Sequence, residues 1–233
     1  MSNIWKVWGV SVTGSHHKKE GIPNQDAWRF RAFKNGSALA VSDGLGSKPF
    51  SDIGSKAACL SVIEAGCIFN QQKESDYKYL PELIHALWVL KTGKLKPNNC
   101  AATCLFSLQI NEKIILGRLG DGMIIAAGKN KCVTIEDTKT DSFSNITDCL
   151  DDSYNAGKWD VRIIPADDLE TIILCTDGVA NGINREKIHE FALDLLECYK
   201  TMERKKRARA IARWLKEWPV SDDKTLACLF KVD

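Results

Sequence analysis

Predicted strands in this chain follow one another with only short turns between them, and this arrangement constrains the fold more than any other feature. The runs 27–33 and 37–42 are separated by a segment that contains Asn35-Gly36, a strong signal for a tight hairpin turn. The second run is continuously apolar over most of its length, which predicts a strand buried on both faces. Further strands are predicted over 5–12, 101–109, 113–119, 122–127, 159–164, 170–176 and 225–232.

Predicted helices come in two pairs, one after the first strands and one near the end of the chain. In the segment 52–70, Ile53, Ala57 and Leu60 form one apolar stripe beside a second, so we expect a well-buried helix. Hairpins combined with separate helix pairs favour an α+β fold with largely antiparallel sheets covered by helices. The other helices are predicted over 80–91, from the capping residue Asn184 to Tyr199, and over 208–218.

Composition and charge exclude several classes of protein. Hydrophobic residues make up 44% of the chain and charged residues 27%, so extended disorder is not expected. A net charge of +2 argues against a protein that mainly coats nucleic acid, and no apolar run reaches the roughly 18 residues needed to span a membrane. The nine cysteines include no CxxC pair, and residues 1–14 lack the apolar run of a signal peptide. We therefore expect a cytoplasmic protein with reduced thiols and neither nucleic-acid nor membrane partners.

Acidic residues stand in turns at the ends of several predicted strands. Any one Asp-Gly pair is an ordinary turn dipeptide with a purely structural explanation. Several carboxylates held together at a sheet edge would instead raise one another's pKa unless cations neutralise them. A site of oxygen ligands alone suits Mg²⁺ or Mn²⁺, and two such ions about 3.5–4 Å apart can activate a water and clamp a phosphoryl group. The turns contain Asp26, Asp43, Asp121, Asp177 and the pair Asp222 and Asp223.

These turns, in this order, resemble the motifs of the metal-dependent type 2C protein phosphatases, a family of serine/threonine phosphatases. One such motif would be a weak signal, but seven follow one another across nearly the whole chain. The Asn-Gln-Asp form of the first motif resembles a compact bacterial branch of the family. The segments are 24–27 (NQDA), 41–47 (VSDGLGS), 101–105 (AATCL), 118–122 (RLGDG), 145–147 (NIT), 174–179 (LCTDGV) and 222–225 (DDKT).

The resemblance implies a central β-sandwich of two antiparallel sheets flanked by helix pairs, an α-β-β-α arrangement that fits the predicted order of elements. It also implies a single catalytic domain over 1–233. Residues 136–158 are polar and rich in turn formers, which predicts a loop with at most a short helix near 146–150. The flap that many bacterial relatives carry is therefore expected to be short or absent.

Carried over residue by residue, the resemblance assigns the acidic turns to two Mn²⁺ or Mg²⁺ ions, with room for a third. It implies that Asp43 bridges two ions and that the carbonyl of Gly44 ligates one of them. Asp177 and Asp222 would hold the other ion. Asp121, together with Asp177, would hold the weaker third ion.

The implied reaction is direct hydrolysis, with no covalent phospho-enzyme. A hydroxide that bridges the two ions would attack phosphorus in line and displace the serine or threonine alkoxide, and Asp26 would ligate or orient metal-bound water. Gln25 stands where many relatives have a Glu ligand; its amide oxygen can ligate or hold a water but brings no charge. We place Gln25 and Asp223 behind the ligands, as supporting residues.

Two departures from the family pattern concern the phosphate and the leaving group. Leu45 stands where many relatives have a His, and no Arg precedes the first motif, where many relatives place a phosphate-binding Arg. His17 is the candidate general acid, because an imidazole can donate a proton near neutral pH, and His16 and Lys18 are candidates for substrate binding. The alternative is that residues 15–19 form only a solvated basic loop.

The sequence therefore predicts a metal-dependent protein phosphatase acting on phosphoserine and phosphothreonine. Two rivals stay open: a catalytically weak or inactive pseudophosphatase that binds a phosphoprotein or kinase, and a two-metal hydrolase of small phosphate esters. We expect a monomer whose partners are a phosphorylated protein substrate and a cognate serine/threonine kinase or its targets. A basic stretch over 204–213 is either a solvated helix face or a docking patch for an acidic partner.

Overall fold

The hairpins assemble into two antiparallel sheets in a computed structural model, which describes residues 4–72, 76–136 and 147–232. The ten strands of these ranges are β1 (Ile4–Val12), β2 (Ala27–Phe33), β3 (Gly36–Ser42), β4 (Cys104–Ile110), β5 (Lys113–Leu119), β6 (Met123–Gly128), β7 (Lys131–Glu136), β8 (Asp160–Pro165), β9 (Thr171–Cys175) and β10 (Lys224–Val232). The first sheet has the order β1-β10-β9-β6-β7 and the second the order β2-β3-β4-β5-β8.

Six α-helices accompany the sheets in the described ranges. They are α1 (Ser15–Glu20), α2 (Ser51–Gln71), α3 (Leu80–Thr92), α4 (Asp177–Ala180), α5 (Ile188–Tyr199) and α6 (Arg204–Glu217). Short 3₁₀ turns lie at Tyr77–Tyr79, Pro97–Cys100, Ala156–Lys158 and Arg185–Lys187. Within the part of the chain that the structure describes, no helix has both the length and the apolar character needed to cross a bilayer.

Three apolar layers hold these elements together. Side chains of the two sheets that face each other form the central layer, with Leu39, Leu105, Ile124, Leu174 and Leu229 among them. A second layer lies between the first sheet and helices α5 and α6, and a third lies between the second sheet and helices α2 and α3. This α-β-β-α arrangement confirms the predicted fold class.

Helix α2 corrects one expectation about burial. The helix is well buried as predicted, and Ala57 of the predicted stripe is buried, but Ile53 is 40% exposed and Leu60 is 46% exposed, so these two residues face outward. The buried face instead uses small residues that allow close packing. A Cβ placed on Gly54 would lie 1.7 Å from the carbonyl oxygen of Cys100, for example.

Several local features differ from the sequence expectation. Residues 15–20 form helix α1 and not a loop, and β7 occupies 131–136, where no strand was predicted. At most a short helix was expected near 146–150. Residue 146 lies outside the described ranges, and Leu150 forms a β-bridge with Ala102. Asn145 and Ile146 of the fifth motif likewise lie outside the described residues.

Candidate active site

The acidic turns lie together at one end of the sandwich. The strand registers require this, because Ala27 at the start of β2 pairs with Ser42 at the end of β3, and Leu226 near the start of β10 pairs with Cys175 at the end of β9. The hairpin turn around Asn35, between β2 and β3, lies at the opposite end of the sandwich. Carboxylates far apart in sequence therefore share one sheet edge.

Asp26 is buried, with 6% of its surface exposed, and one of its two carboxyl oxygens accepts a hydrogen bond. Thr176 Oγ1 donates to Oδ2 of Asp26 at 2.9 Å, while Oδ1 of Asp26 has no hydrogen-bond donor among the described residues. The carboxyl group also interacts with that of Asp43. Burial raises the pKa of Asp26 from 3.8 to about 7, although hydrogen bonds from Thr225 and other neighbours oppose this shift.

Asp43 is fixed through its backbone. Its N–H donates to Thr103 Oγ1 at 2.9 Å, and the N–H of Thr103 donates to the carbonyl of Asp43 at 2.8 Å. Burial raises the pKa of Asp43 well above its ordinary value, and the charges of Asp26 and Asp177 raise it further. We call Asp26, Asp43 and Asp177 the carboxylate cluster.

Gly44, whose carbonyl is a predicted ligand, is buried directly after Asp43. Its N–H donates to the carbonyl of Gln25 at 3.2 Å, which joins the first two motifs. A Cβ at this position would lie 2.5 Å from the carbonyl oxygen of Ser51, so only glycine fits without a shift of the backbone.

Asp177 begins helix α4 beside the turn that contains Asp222. The two turns touch, because a Cβ on Gly178 would lie 1.9 Å from the carbonyl oxygen of Asp223. Burial raises the pKa of Asp177, and the neighbouring charges of Asp222 and Asp121 add to this effect. Asp222 itself is exposed, and its Oδ1 accepts the N–H of Asp223 at 2.8 Å.

Asp121 lies in a turn that only glycines allow. Gly120 and Gly122 on either side have φ values of 86° and 103°, a region that other residues rarely adopt. Thr147, the described member of the fifth motif, donates its hydroxyl to Oδ2 of Asp121 at 2.5 Å. Asp121 thus lies at the rim of the carboxylate cluster, on the side of Asp177.

Asp223 is surrounded by donors. Its Oδ1 accepts the N–H of Gly14 at 2.7 Å, and its Oδ2 accepts the N–H of Gln25 at 2.7 Å and lies 2.9 Å from Nδ1 of His17. Only 2% of Asp223 and 8% of His17 are exposed. We call Asp223, Gly14, Gln25 and His17 the Asp223 cluster; it joins the end of β1, helix α1 and the first motif to the start of β10.

The remaining predicted residues have different surroundings. His16 and Lys18 are exposed on α1, next to the buried His17, so residues 15–19 are a helix with a solvated face and not a solvated loop. The amide oxygen of Gln25 points toward the loop after Asp43, since a Cβ on Gly46 would lie 3.7 Å from it. The assigned roles of these residues stay predictions.

The carboxylate cluster fits a divalent cation by its chemistry. Its donors are all oxygen, burial raises the pKa of each member, the charges of Asp26 and Asp177 raise that of Asp43 further, and Oδ1 of Asp26 is buried without a donor among the described residues. Within the described ranges no three or more His, Cys, Asp or Glu side chains already surround one point in the manner of a metal site. The carboxyl groups of Asp26, Asp43 and Asp177 instead act on one another's ionisation, and a cation would neutralise their negative charge.

Four supporting residues were not assigned a role from the sequence. Thr103 and Thr176 orient Asp43 and Asp26, and Thr225 accompanies them, because its N–H donates to Thr176 Oγ1 at 3.0 Å. Lys224 is only 3% exposed, and its Nζ donates to the carbonyl of Asp222 at 3.3 Å. In the sequence, each of these four is a polar residue close to an apolar run and an acidic turn, and this placement is the signal that could have indicated its role.

Comparisons with known proteins bear on the family and the fold of the chain. The family model described as "Protein phosphatase 2C" matches residues 13–218 of the chain. No curated protein is similar enough to count as a match.

Solved structures show the same fold at low sequence identity. The serine/threonine phosphatase Stp1 from Staphylococcus aureus superposes with a TM-score of 0.72 at 15% identity, over 99% of this chain and 96% of that one. The catalytic domain of the serine/threonine phosphatase PstP, in complex with two manganese ions, gives a TM-score of 0.71 at 16% identity over 100% of both chains. The photosystem II phosphatase PBCP gives 0.69 at 13% identity over 99% of both.

Proposed function

The chain belongs to the protein phosphatase 2C family and is a phosphoprotein phosphatase, and we propose that it hydrolyses phosphoserine and phosphothreonine with two divalent cations bound at the carboxylate cluster. The observation that carries this proposal is the interaction of the buried carboxyl group of Asp26 with the half-buried carboxyl group of Asp43, with Asp177 beside them. Carboxyl groups held this close have raised pKa values and gain from a cation.

We assign the ligands as the resemblance implies. Asp43 and the carbonyl of Gly44 would hold one Mn²⁺ or Mg²⁺ ion, and Asp43, Asp177 and Asp222 the other. Asp121 would contribute to a weaker third site. When bound, such ions lower the pKa of a water molecule and neutralise charge on the phosphoryl group.

The chain's own residues have distinct tasks in this proposal. Asp26, with Oδ2 fixed by Thr176, keeps Oδ1 available to orient the attacking water. His17 is held at Nδ1 by Asp223, which leaves Nε2 as the atom that could pass a proton to the leaving alkoxide. The exposed His16 and Lys18 on the same helix would draw the phosphate toward the site.

The family assignment gives no support to the alternative of a weak or inactive pseudophosphatase. Measurements of turnover distinguish an active phosphatase from a pseudophosphatase. They also test the alternative of a hydrolase of small phosphate esters. The experiment measures hydrolysis of phosphoserine and phosphothreonine peptides and of an aryl phosphate, with Mn²⁺ and with excess EDTA. We compare the wild type with Asp177→Asn and with Asp194→Asn, a matched control at an exposed position on α5.

We expect peptide hydrolysis that requires Mn²⁺ or Mg²⁺, disappears in EDTA, is lost in Asp177→Asn and is unchanged in Asp194→Asn. Activity that persists in EDTA would overturn the metal-dependent mechanism. Hydrolysis of the aryl phosphate alone would point to small esters, and the absence of turnover on every substrate would point to the pseudophosphatase.

A further inference from the structure

Helix α6 has two faces of opposite character. Ile211 and Leu215 are buried in the core against the first sheet, and the buried Arg207 places its guanidinium 5.2 Å from the centre of the Phe230 ring. The other face carries five exposed cations within an arc of roughly 100°, at 3.6 residues per turn. We call these residues the basic row: Lys205, Lys206, Arg209, Arg213 and Lys216.

The basic row is not neutralised by its surroundings. None of its five side chains forms an ion pair within residues 4–72, 76–136 and 147–232. Residues 204–217 contain seven basic side chains and one acidic one, so this helix contributes a formal charge of +6 to a chain whose net charge is +2. The rest of the protein is therefore negative overall, and the positive charge is concentrated on one narrow face.

The basic row extends away from the active site. Its end near Lys216 lies beside the site, because Trp218 Nε1 donates to the carbonyl of Val179 at 3.1 Å, two residues beyond Asp177. Its other end lies near Arg207, which donates to the carbonyl of Tyr199. From 205 to 216 a helix rises about 17 Å at 1.5 Å per residue.

We propose that the basic row binds an acidic segment of the same phosphoprotein whose phosphoserine or phosphothreonine is hydrolysed at the carboxylate cluster. This inference rests on the proposed function. An extended peptide rises about 3.3 Å per residue, so roughly five residues cover the length of the row. Charge complementarity then selects substrates with several Asp, Glu or phosphorylated residues at a fixed distance from the scissile phosphate.

A single acidic peptide fits this face better than a bilayer or a duplex. The row is one helix wide and belongs to a protein that is otherwise negative, so a broad anionic surface would also meet repulsive charge. Sites for single-stranded nucleic acids combine cations with exposed aromatic rings for stacking. The nearest aromatic of α6, Trp214, is partly buried and packs on Trp218 with ring centres 4.9 Å apart.

The experiment uses phosphothreonine peptides that differ only in a tail of five residues. The tail is Glu, Gln or Lys, joined to the same phosphorylated core by spacers of four, eight or twelve residues. The wild type is compared with Arg209→Gln/Arg213→Gln/Lys216→Gln. The control is Lys34→Gln/Lys113→Gln/Lys129→Gln, which removes the same charge from exposed positions in or next to hairpin turns at the opposite end of the sandwich.

With wild type and control, we expect the Glu tail to lower KM by about tenfold relative to the Gln tail at one or more spacer lengths, since several weak exposed pairs act together. The Lys tail should raise KM. The preference should disappear in the triple variant of the row and weaken at high salt, because exposed charges are screened. Aryl phosphate turnover should be equal in all three proteins, which shows that the variant has folded.

Three results would overturn the inference. The first is an equal KM for Glu and Gln tails at every spacer length, and the second is an equal loss of preference in the control. The third is binding of anionic vesicles or duplex DNA that the row variant loses while the tails have no effect, which would assign the row to that ligand. If no phosphopeptide is hydrolysed at all, it is the proposed function that fails, and direct binding of the Glu-tailed peptide still tests the row.

Discussion

Two buried acids, Asp26 of the carboxylate cluster and Asp223 of the Asp223 cluster, lie at the same end of the sandwich, and they differ in their hydrogen-bond partners. Asp223 accepts two backbone N–H groups and lies 2.9 Å from a His17 nitrogen. Asp26, in the carboxylate cluster, has one oxygen with no donor and lies against the carboxyl group of Asp43. Both carboxyl oxygens of Asp223 accept hydrogen bonds from donors of the chain, whereas one carboxyl oxygen of Asp26 has no donor among the described residues.

The comparison teaches that burial of an acid does not by itself indicate a ligand site. A buried carboxylate surrounded by donors joins segments of the fold, as Asp223 joins β1, α1 and β10. A buried carboxylate surrounded by other carboxylates costs stability unless a cation or proton neutralises it. Removing charge should therefore have opposite effects on stability in the two clusters.

The largest effect is expected from Asp43→Asn. If Asp43 is a metal ligand as proposed, loss of its carboxylate should lower kcat/KM by at least about 10³-fold, because metal ions contribute several kcal/mol to the transition state and about 1.4 kcal/mol is tenfold in rate. In EDTA near pH 7 the same variant should have a higher free energy of unfolding than the wild type, because repulsion within the carboxylate cluster is relieved. Steady-state kinetics and urea denaturation measure the two quantities.

Asp194→Asn, on the exposed face of α5, is the control for both measurements and should change neither. If Asp43→Asn were less stable than the wild type without metal, the carboxylate cluster would be held together by contacts that outweigh its repulsion. The contrast between the two clusters would then be wrong.

The position of the carboxylate cluster was predictable because its signals are local. Each acidic turn follows or precedes an apolar strand, and antiparallel hairpins bring such turns to one edge, as at Asp43 and Asp177. Its electrostatics were only partly predictable. The sequence suggested repulsion, but the burial of Asp26 and its bond to Thr176 depend on residues 150 positions apart, which no local pattern reports.

The Asp223 cluster was less accessible to sequence reasoning for a related reason. Helix α1 has six residues and no apolar periodicity, and it forms because tertiary contacts bury His17 against Asp223. A run of polar residues therefore reads as a loop. Ile53 and Leu60 of α2 show the reverse case: they satisfy a helical pattern but face outward, while Ala57 and small residues such as Gly54 are buried.

Asp223→Ala is expected to have the next largest effect, with the opposite sign on stability. The buried N–H groups of Gly14 and Gln25 would lose their acceptor, and an unsatisfied buried donor costs about 1–3 kcal/mol. We expect the free energy of unfolding in EDTA to fall by roughly 2–5 kcal/mol, whereas Asp43→Asn raises it. Urea denaturation at one pH measures both variants.

Asp168→Ala, an exposed acid at the far end of the sandwich, controls for the loss of a carboxylate as such and should leave stability nearly unchanged. An Asp223→Ala protein as stable as the wild type would mean that water replaces the lost acceptor. The Asp223 cluster would then not be a structural joint.

The smallest effect, and the one that tests whether the Asp223 cluster also serves the chemistry, is expected from His17→Ala. A serine or threonine alkoxide is a poor leaving group and needs a proton, whereas a nitrophenolate scarcely does. General acid catalysis is typically worth 10²-fold or more, so we expect phosphopeptide hydrolysis to slow about 10²-fold and nitrophenyl phosphate hydrolysis by much less.

His16→Ala, at the exposed neighbouring position, should affect phosphate capture and hence KM for both substrates alike. Because His17 is buried against Asp223, each rate is compared at a temperature where denaturation shows the variant to be folded. An equal slowing of both substrates would make His17 a positioning residue of the Asp223 cluster, and unchanged rates would leave His17 with a structural task alone and require another proton donor for the alkoxide.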